Sequence, residues 1–295
     1  MRFLLLGRDG QVGWELQRAL APLGEVIAVG RSEVDLRRPE GLVEMVTRLA
    51  PQVVLNTAAY TDVDGAEREP DIARAINAEA PLALARAARR ARSAFIHFST
   101  DYVFDGALRR PYTENDSPNP INVYGETKLE GERAIQAEGG SCLVLRTSWV
   151  YSLRRRGFVP RLLEWARSQD RIRVVVDQIG SPTWCRLVAE AAAFVIARSQ
   201  GEPFAYLQQH AGLYHLACRG TATRLEWARQ TLALDPHRSE HRVAPERIEP
   251  ASSADFSTPA RRPAFSALDS GLFQRVFGLR LPPWQDALRL AMDGG

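Results

Sequence analysis

The sequence predicts an α/β protein, a doubly wound parallel sheet followed by a smaller C-terminal α/β lobe. Short apolar runs alternate with helical periodicity through the first half, a glycine-spaced turn follows the first apolar run, and the alternation loosens near residue 150. Residues 2–6, 25–29, 53–55 and 94–98 read as strands, being apolar runs too short for helices. Between them, 11–20, 39–49 and a long stretch over 71–92 set Ala, Leu and Ile at three- and four-residue spacing, the pattern of helices with one buried face. Strands apolar along their whole length are covered on both sides, which implies a parallel sheet. A helix over 123–137 and a strand over 141–145 close the regular part.

Beyond it lie a helix over 158–167, a strand over 172–176, a helix over 187–197, a short run at 213–216 and a helix over 225–234. A loop-rich segment over 252–263 and two amphipathic pieces, 267–276 and 284–292, end the chain. The expected organisation is a dinucleotide-binding domain over 1–150, its last elements open to completion by later segments, and a substrate lobe over 151–295. That lobe should close on the carboxyl edge of the sheet, where open α/β sheets bind ligands.

With 295 residues, 45% of them hydrophobic and 25% charged, the chain can bury a full core. Its net charge of +3 comes from 38 basic and 35 acidic residues spread along the sequence, so there is no basic patch for nucleic acid. The apolar start reaches Gly7 and Arg8 too soon for a signal-peptide core, and no apolar stretch approaches the ~20 residues of a membrane span. A cytoplasmic protein with no membrane partner is expected. Cys142, Cys185 and Cys218 are odd in number and far apart, which argues against a disulfide framework and a zinc site, so no metal is expected.

Gly7, Gly10 and Gly13 stand in a G-x-x-G-x-x-G spacing between the first strand and the first helix. Such a turn needs glycine for a sharp bend and close approach to a pyrophosphate, while the helix N-terminus offers free N–H groups. A tight turn with no ligand is the bland reading, and the position directly after an N-terminal strand argues against it. Gly7, Gly10, Gln11, Val12 and Gly13 are therefore cofactor-binding candidates on a Rossmann-type sheet. At the second strand's tip the chain reads Gly30, Arg31, Ser32. An arginine and no acid at the tip favour NADPH, because a carboxylate there would repel a 2′-phosphate. Glu33 and Asp35 nearby keep NADH open, and Asp35 and Leu36 join Arg31 in the cofactor-binding set.

Tyr124 and Lys128 lie four residues apart on a predicted helix, hence on one face. Ketone reduction needs an acid for the developing alkoxide, and a cation beside a tyrosine would lower its pKa toward neutral pH. Lys128 is the only lysine among 38 basic residues, so its position four after a tyrosine is hard to ascribe to coding bias. Upstream, the strand over 94–98 runs into Ser99 and Thr100. A hydroxyl at the carboxyl end of a central strand faces the ligand crevice, and Thr100, with Ser99 second, is the candidate to bond the substrate carbonyl. His97, His210, His215, His237 and His241 form no sequence cluster and read as structural.

These residues resemble the extended short-chain dehydrogenase/reductase superfamily, and within it the dTDP-4-dehydrorhamnose reductase family. The resemblance spans nearly the whole chain, through GRDGQVGWEL (7–16), NTAAYTDVDGAEREP (56–70), STDYVFDG (99–106), NVYGETK (122–128), LRTSWVY (145–151) and VDQIGSPT (176–183). It implies a nucleotide-sugar substrate, reduction of dTDP-6-deoxy-L-lyxo-4-hexulose to dTDP-L-rhamnose with NADPH, and a catalytic trio of Thr100, Tyr124 and Lys128. It further implies that Ala58, Ala59 and Tyr60 run past the cofactor. Tyr102, Val103 and Trp149 would line the sugar pocket, and Arg262 would lie near the nucleotide end. The chain departs from the family pattern at Ser152, Phe265 and Arg224, the last replacing a frequent tryptophan. Some members are magnesium-linked dimers. Glu15 matches one of their metal positions, but Arg186 stands where a second acid would align, so a monomer and a homodimer both stay open. Two other functions also stay open: a reductase of another nucleotide-linked 4-keto sugar, and a non-catalytic regulatory subunit of the methionine adenosyltransferase type. The intact trio argues against the second.

Overall fold

The structure is a computed structural model that describes residues 1–154 and 157–293. Its first half runs β1 (Arg2–Leu6), α1 (Gln11–Leu20), β2 (Glu25–Val29), α2 (Pro39–Leu49), β3 (Val53–Asn56), α3 (Val63–Arg68), α4 (Pro70–Arg74), α5 (Ala80–Arg90), β4 (Ala94–Thr100), α6 (Val123–Glu138) and β5 (Cys142–Thr147). The second half runs β6 (Val150–Tyr151), α7 (Phe158–Ser168), β7 (Arg173–Val175), β8 (Ile179–Gly180), β9 (Thr183–Trp184), α8 (Cys185–Ala197), α9 (Pro203–Gln209) and β10 (Gly212–His215). It ends with β11 (Ala222–Thr223), α10 (Arg224–Leu234), β12 (Glu249–Ala251), α11 (Gly271–Phe277) and α12 (Trp284–Asp293).

The main sheet is ordered β10-β5-β4-β3-β1-β2 and every neighbouring pair is parallel. Its strands are largely apolar because both faces are covered. Phe3 and Leu5 join Leu16 and Leu20 of α1 and the buried side of α8, while Leu4 and Leu6 join Leu42 and Val46 of α2 and Leu84 and Ala88 of α5. The sixth strand, β10, comes from far down the chain and pairs with β5, and α8 packs on α1. The sheet layer thus draws on residues from both sides of position 150. A separate small core of Leu162, Ala166, Ile172, Val174, Leu225, Leu232 and Ile248 holds α7, α10 and the β7–β12 pair together.

The 71–92 stretch is not one helix. Pro81 has no N–H to give the Asn77 carbonyl, and the backbone over Ala75–Glu79 widens into a π turn between α4 and α5. The reading also missed α3 and α9, each of seven residues or fewer. Strands β4 and β5 run to Thr100 and Thr147, two residues past their expected ends, carrying polar side chains to the sheet edge. Among the described residues no helix is long and apolar enough to cross a membrane.

Candidate active site

Strand order reverses beside β1, which lies between β2 and β3, and this opens a crevice at the strands' carboxyl ends. Gly7 starts the loop there with φ +88°, and a side chain on it would meet Thr57 Oγ1 at 2.7 Å and Ala58 N at 2.8 Å. A Cβ on Gly13 would lie 2.1 Å from the Gly7 carbonyl, so α1 can approach only as glycine. Gly10 N–H donates to Gly7 O at 2.9 Å and caps α1 with no side-chain hydrogen bond, and the first turn has no acid. Gln11 Oε1 is buried with no partner. Uncapped N–H groups, a cradle that any Cβ would fill and an orphaned amide oxygen fit a dinucleotide pyrophosphate. Val12 packs on the core behind the loop. Ala58, Ala59 and Tyr60 pass across it, tethered by Ala58 N–H to Asn56 Oδ1 (3.1 Å) and Tyr60 N–H to Asn77 Oδ1 (2.9 Å).

At the tip of β2 the structure corrects the expectation that no acid is present. Glu33 folds back so that its carboxylate accepts from Gly30 N–H at 2.9 Å, and Arg8 pairs with it at 2.7 Å. The Gly30 N–H, then Ser32 and Arg8, hold that carboxyl below its ordinary range. Asp35 turns instead to Arg37 at 2.7 Å, which lowers its pKa to about 2. Leu36 packs against the apolar layer beside α2. Arg31 is exposed and makes no ion pair among the described residues.

Thr100 ends β4 as a buried hydroxyl. It donates to Asp101 Oδ1 at 3.1 Å and accepts from Tyr102 N–H at 3.2 Å, beside the Tyr124 phenol. Asp101 also accepts from Ser266 Oγ at 2.5 Å and Ser148 Oγ at 2.9 Å. With its own proton on Asp101, Thr100 has only lone pairs to offer the Tyr124 phenol beside it. Burial raises the Asp101 pKa to about 6, against the pull of these hydroxyls. Ser99, the second choice, has a buried hydroxyl without a partner.

Tyr124 sits in the first turn of α6, whose cap Asn122 accepts from Gly125 N–H at 2.8 Å. Tyr102 meets it edge-on at 5.8 Å. Burial pushes the Tyr124 phenol above its ordinary value, with Asp101 adding. This departs from the expectation that Lys128 lowers it. Lys128 is fully buried and committed to the Phe98 carbonyl at 2.7 Å and His97 Nε2 at 3.1 Å. Burial brings its pKa down to about 8, with Glu132 opposing.

On the opposite wall, Trp149 takes a left-handed φ of +44°, unusual for a bulky residue and typical of a functional site. The Arg224 guanidinium lies 3.7 Å over its ring, with the Tyr102 phenol beside it. Arg262 is clamped by Asp64 through two 2.6 Å contacts. Val103 is fully buried with Phe104, Tyr112, Leu129 and Leu268, so its side chain packs the core rather than the crevice. Glu15 faces α8, where it pairs with Arg186 at 3.2 Å. Asp101 and Asn56 join the candidate site although motif reading passed them over, and Arg224 joins it where that reading had marked only a departure from the family pattern. Asp101 could have been found beside Thr100, but its partners Ser148 and Ser266 come from 47 and 165 residues away, with no local signal.

The family model described as RmlD substrate binding domain matches residues 1–294. A dTDP-4-dehydrorhamnose reductase of Burkholderia thailandensis is 40% identical over 295 residues, covering 99% of this chain and 98% of that one. The crystal structure of a dTDP-4-dehydrorhamnose reductase from Clostridium acetobutylicum aligns with TM-score 0.88 at 31% identity, covering 99% of each chain. That of the Bacillus anthracis dTDP-4-dehydrorhamnose reductase in complex with NADP aligns with TM-score 0.87 at 28% identity, covering 100% of this chain and 99% of that one.

Proposed function

We infer the function from the family: the chain belongs to the RmlD substrate binding domain family, and it is an NADPH-dependent oxidoreductase of the dTDP-4-dehydrorhamnose reductase kind. The proposed reaction is reduction of dTDP-6-deoxy-L-lyxo-4-hexulose at C4 to dTDP-L-rhamnose. NADPH, when bound along Gly7, Gly10, Gln11, Val12, Gly13, Arg31 and the 58–60 segment, supplies the hydride. Tyr124 gives its phenolic proton to the alkoxide oxygen, which completes the alcohol, and is reprotonated from the medium. Thr100 aims that phenol, Lys128 holds the ribose side of the cofactor, and Tyr102, Trp149 and Arg262 line the nucleotide sugar.

The observation that carries this reading is the buried Tyr124 phenol, kept protonated by burial beside Thr100, whose own proton is committed to Asp101 at the end of β4. Tyr124→Phe keeps the ring and removes only the donor. Its kcat should fall by roughly 10²- to 10⁴-fold with little change in NADPH affinity. A variant within a few-fold of wild type would remove Tyr124 from the role. A reductase of a different nucleotide-linked 4-keto sugar is the second reading, favoured by the Arg224 guanidinium on the Trp149 ring. Comparing kcat/KM across such sugars decides between them.

A further inference from the structure

Lys128 is the chain's one lysine, and its neighbours constrain its proton by geometry. Asn56, the last residue of β3, holds its side-chain amide between two groups. Its Oδ1 accepts from Ala58 N–H at 3.1 Å, and its Nδ2 faces His97 Nδ1 at 3.1 Å. A backbone N–H can only donate, so turning the amide over would set two donors against each other. His97 Nδ1 is therefore the accepting nitrogen. A neutral imidazole has one donor and one acceptor, which puts the ring proton on Nε2, 3.1 Å from Lys128 Nζ. The ring stays neutral because burial drives its pKa well below the ordinary histidine value. An N–H aimed at Nζ finds a lone pair only on an uncharged amine. Lys128 spends one of its own hydrogens on the Phe98 carbonyl at 2.7 Å.

We propose that Asn56, acting through the Nε2–H tautomer of His97, favours the neutral amine form of Lys128 over its ammonium, so that Asn56 and His97 are positioning residues for the lysine's proton. The other charged groups around the amine leave it without a free carboxylate. Glu132, one turn further along α6, is bound by Arg146 through contacts of 2.6 and 2.9 Å, and Arg146 in turn faces the neutral His215. Asp101, at the end of β4, is taken up by Thr100, Ser148 and Ser266. Tyr124 stays a neutral phenol. The consequence for catalysis rests on the proposed reduction, which draws one proton from the medium. A neutral Lys128 can take up a proton at the inner end of the site, and His97 sets the pH at which it does.

The single lysine makes the test direct. The full chain labelled with ¹³C at the lysine ε-carbon should give one signal that titrates about two pH units below the ordinary lysine value of ~10.4. Histidine ¹⁵N spectra should show His97, assigned by its loss in His97→Gln, with Nε2 protonated and Nδ1 bare. His97→Gln offers the ammonium a carbonyl oxygen, so the lysine midpoint should rise by about one pH unit or more. Should that variant not fold, Asn56→Ala frees the tautomer and should move the midpoint the same way. An Nδ1–H tautomer in wild type, or a lysine midpoint near ~10.4, overturns the proposal. A protein with the expected tautomer and midpoint that reduced no nucleotide keto sugar would keep the proposal and remove only the functional reading.

Discussion

Asp101 decides which way the protons point at the reaction centre. As a carboxylate it accepts from Thr100, Ser148 and Ser266, and this leaves Thr100 only lone pairs to offer Tyr124. Its folded pKa of about 6 lies above the ordinary value near 4. The stability it contributes is thus fully present below about pH 4 and lost as pH rises through about 6. Activity runs the other way, since only the ionised form claims the Thr100 proton. kcat/KM should fall on the acid side with a midpoint near 6, and Asp101→Asn should remove that limb while lowering the plateau about tenfold. An unchanged acid limb in the variant would take Asp101 out of the arrangement. At the cofactor end, Arg31 is exposed beside an acid already neutralised by Arg8. Arg31→Ala should therefore reduce kcat/KM for NADPH by about tenfold and leave that for NADH nearly unchanged, and equal losses with both cofactors would argue against 2′-phosphate recognition. Tyr124 and Lys128 were legible because helical spacing alone puts them on one face. The charges acting on them were not, because Asn56, His97 and Ser266 reach the site through sheet register and a distant loop.

Element boundaries follow the same division. Helices and strands with local periodicity were readable, whereas the π turn depends on what packs against it. Gly131 of α6 crosses that turn so closely that a Cβ would lie 2.2 Å from the Asn77 carbonyl. The Asn77 side chain meanwhile ties Tyr60 N–H and O to the Thr127 hydroxyl, at 2.9, 3.2 and 3.1 Å. One glycine contact therefore couples the helix that bears Tyr124 and Lys128 to the segment that crosses the glycine loop. Gly131→Ala should cost about 1–3 kcal/mol through overpacking and weaken NADPH binding with it, because the crossing segment must shift. Thermal unfolding and cofactor titration measure the two effects, and a loss of stability with unchanged cofactor affinity would show that the crossing is only structural. Strand β10 was visible as an apolar run at 213–216, but its place beside β5 is a long-range pairing that periodicity cannot report.

At the scale of the whole molecule, a clamp at the rim of the crevice helps fasten the segment before α11 to the sheet domain. Asp64 of α3 takes two 2.6 Å contacts from Arg262 and accepts from Ala260 N–H at 3.1 Å, and Asn122 Nδ2 donates to the Arg261 carbonyl at 2.8 Å. The clamp joins residues 198 positions apart in sequence, across the face that carries Tyr124, and neither partner is more than a third exposed. Arg262, then the Ala260 N–H, lower the Asp64 pKa below its ordinary value. For an acid shifted in that direction, the stabilisation is present above the unfolded value near 4 and disappears as pH falls through the folded one. Asp64→Asn keeps the shape and removes the charge. It should cost about 1–3 kcal/mol at pH 7, a difference that closes below about pH 4 as the wild-type carboxylate is itself protonated. Because the clamp also aims Arg262 at the proposed nucleotide end of the substrate, the same variant should raise KM for the nucleotide sugar more than it lowers kcat. Urea midpoints at pH 7 and pH 3, set beside steady-state kinetics, separate the two consequences. A destabilised variant with unchanged KM would leave Arg262 a structural residue and move the nucleotide end of the site elsewhere on the rim.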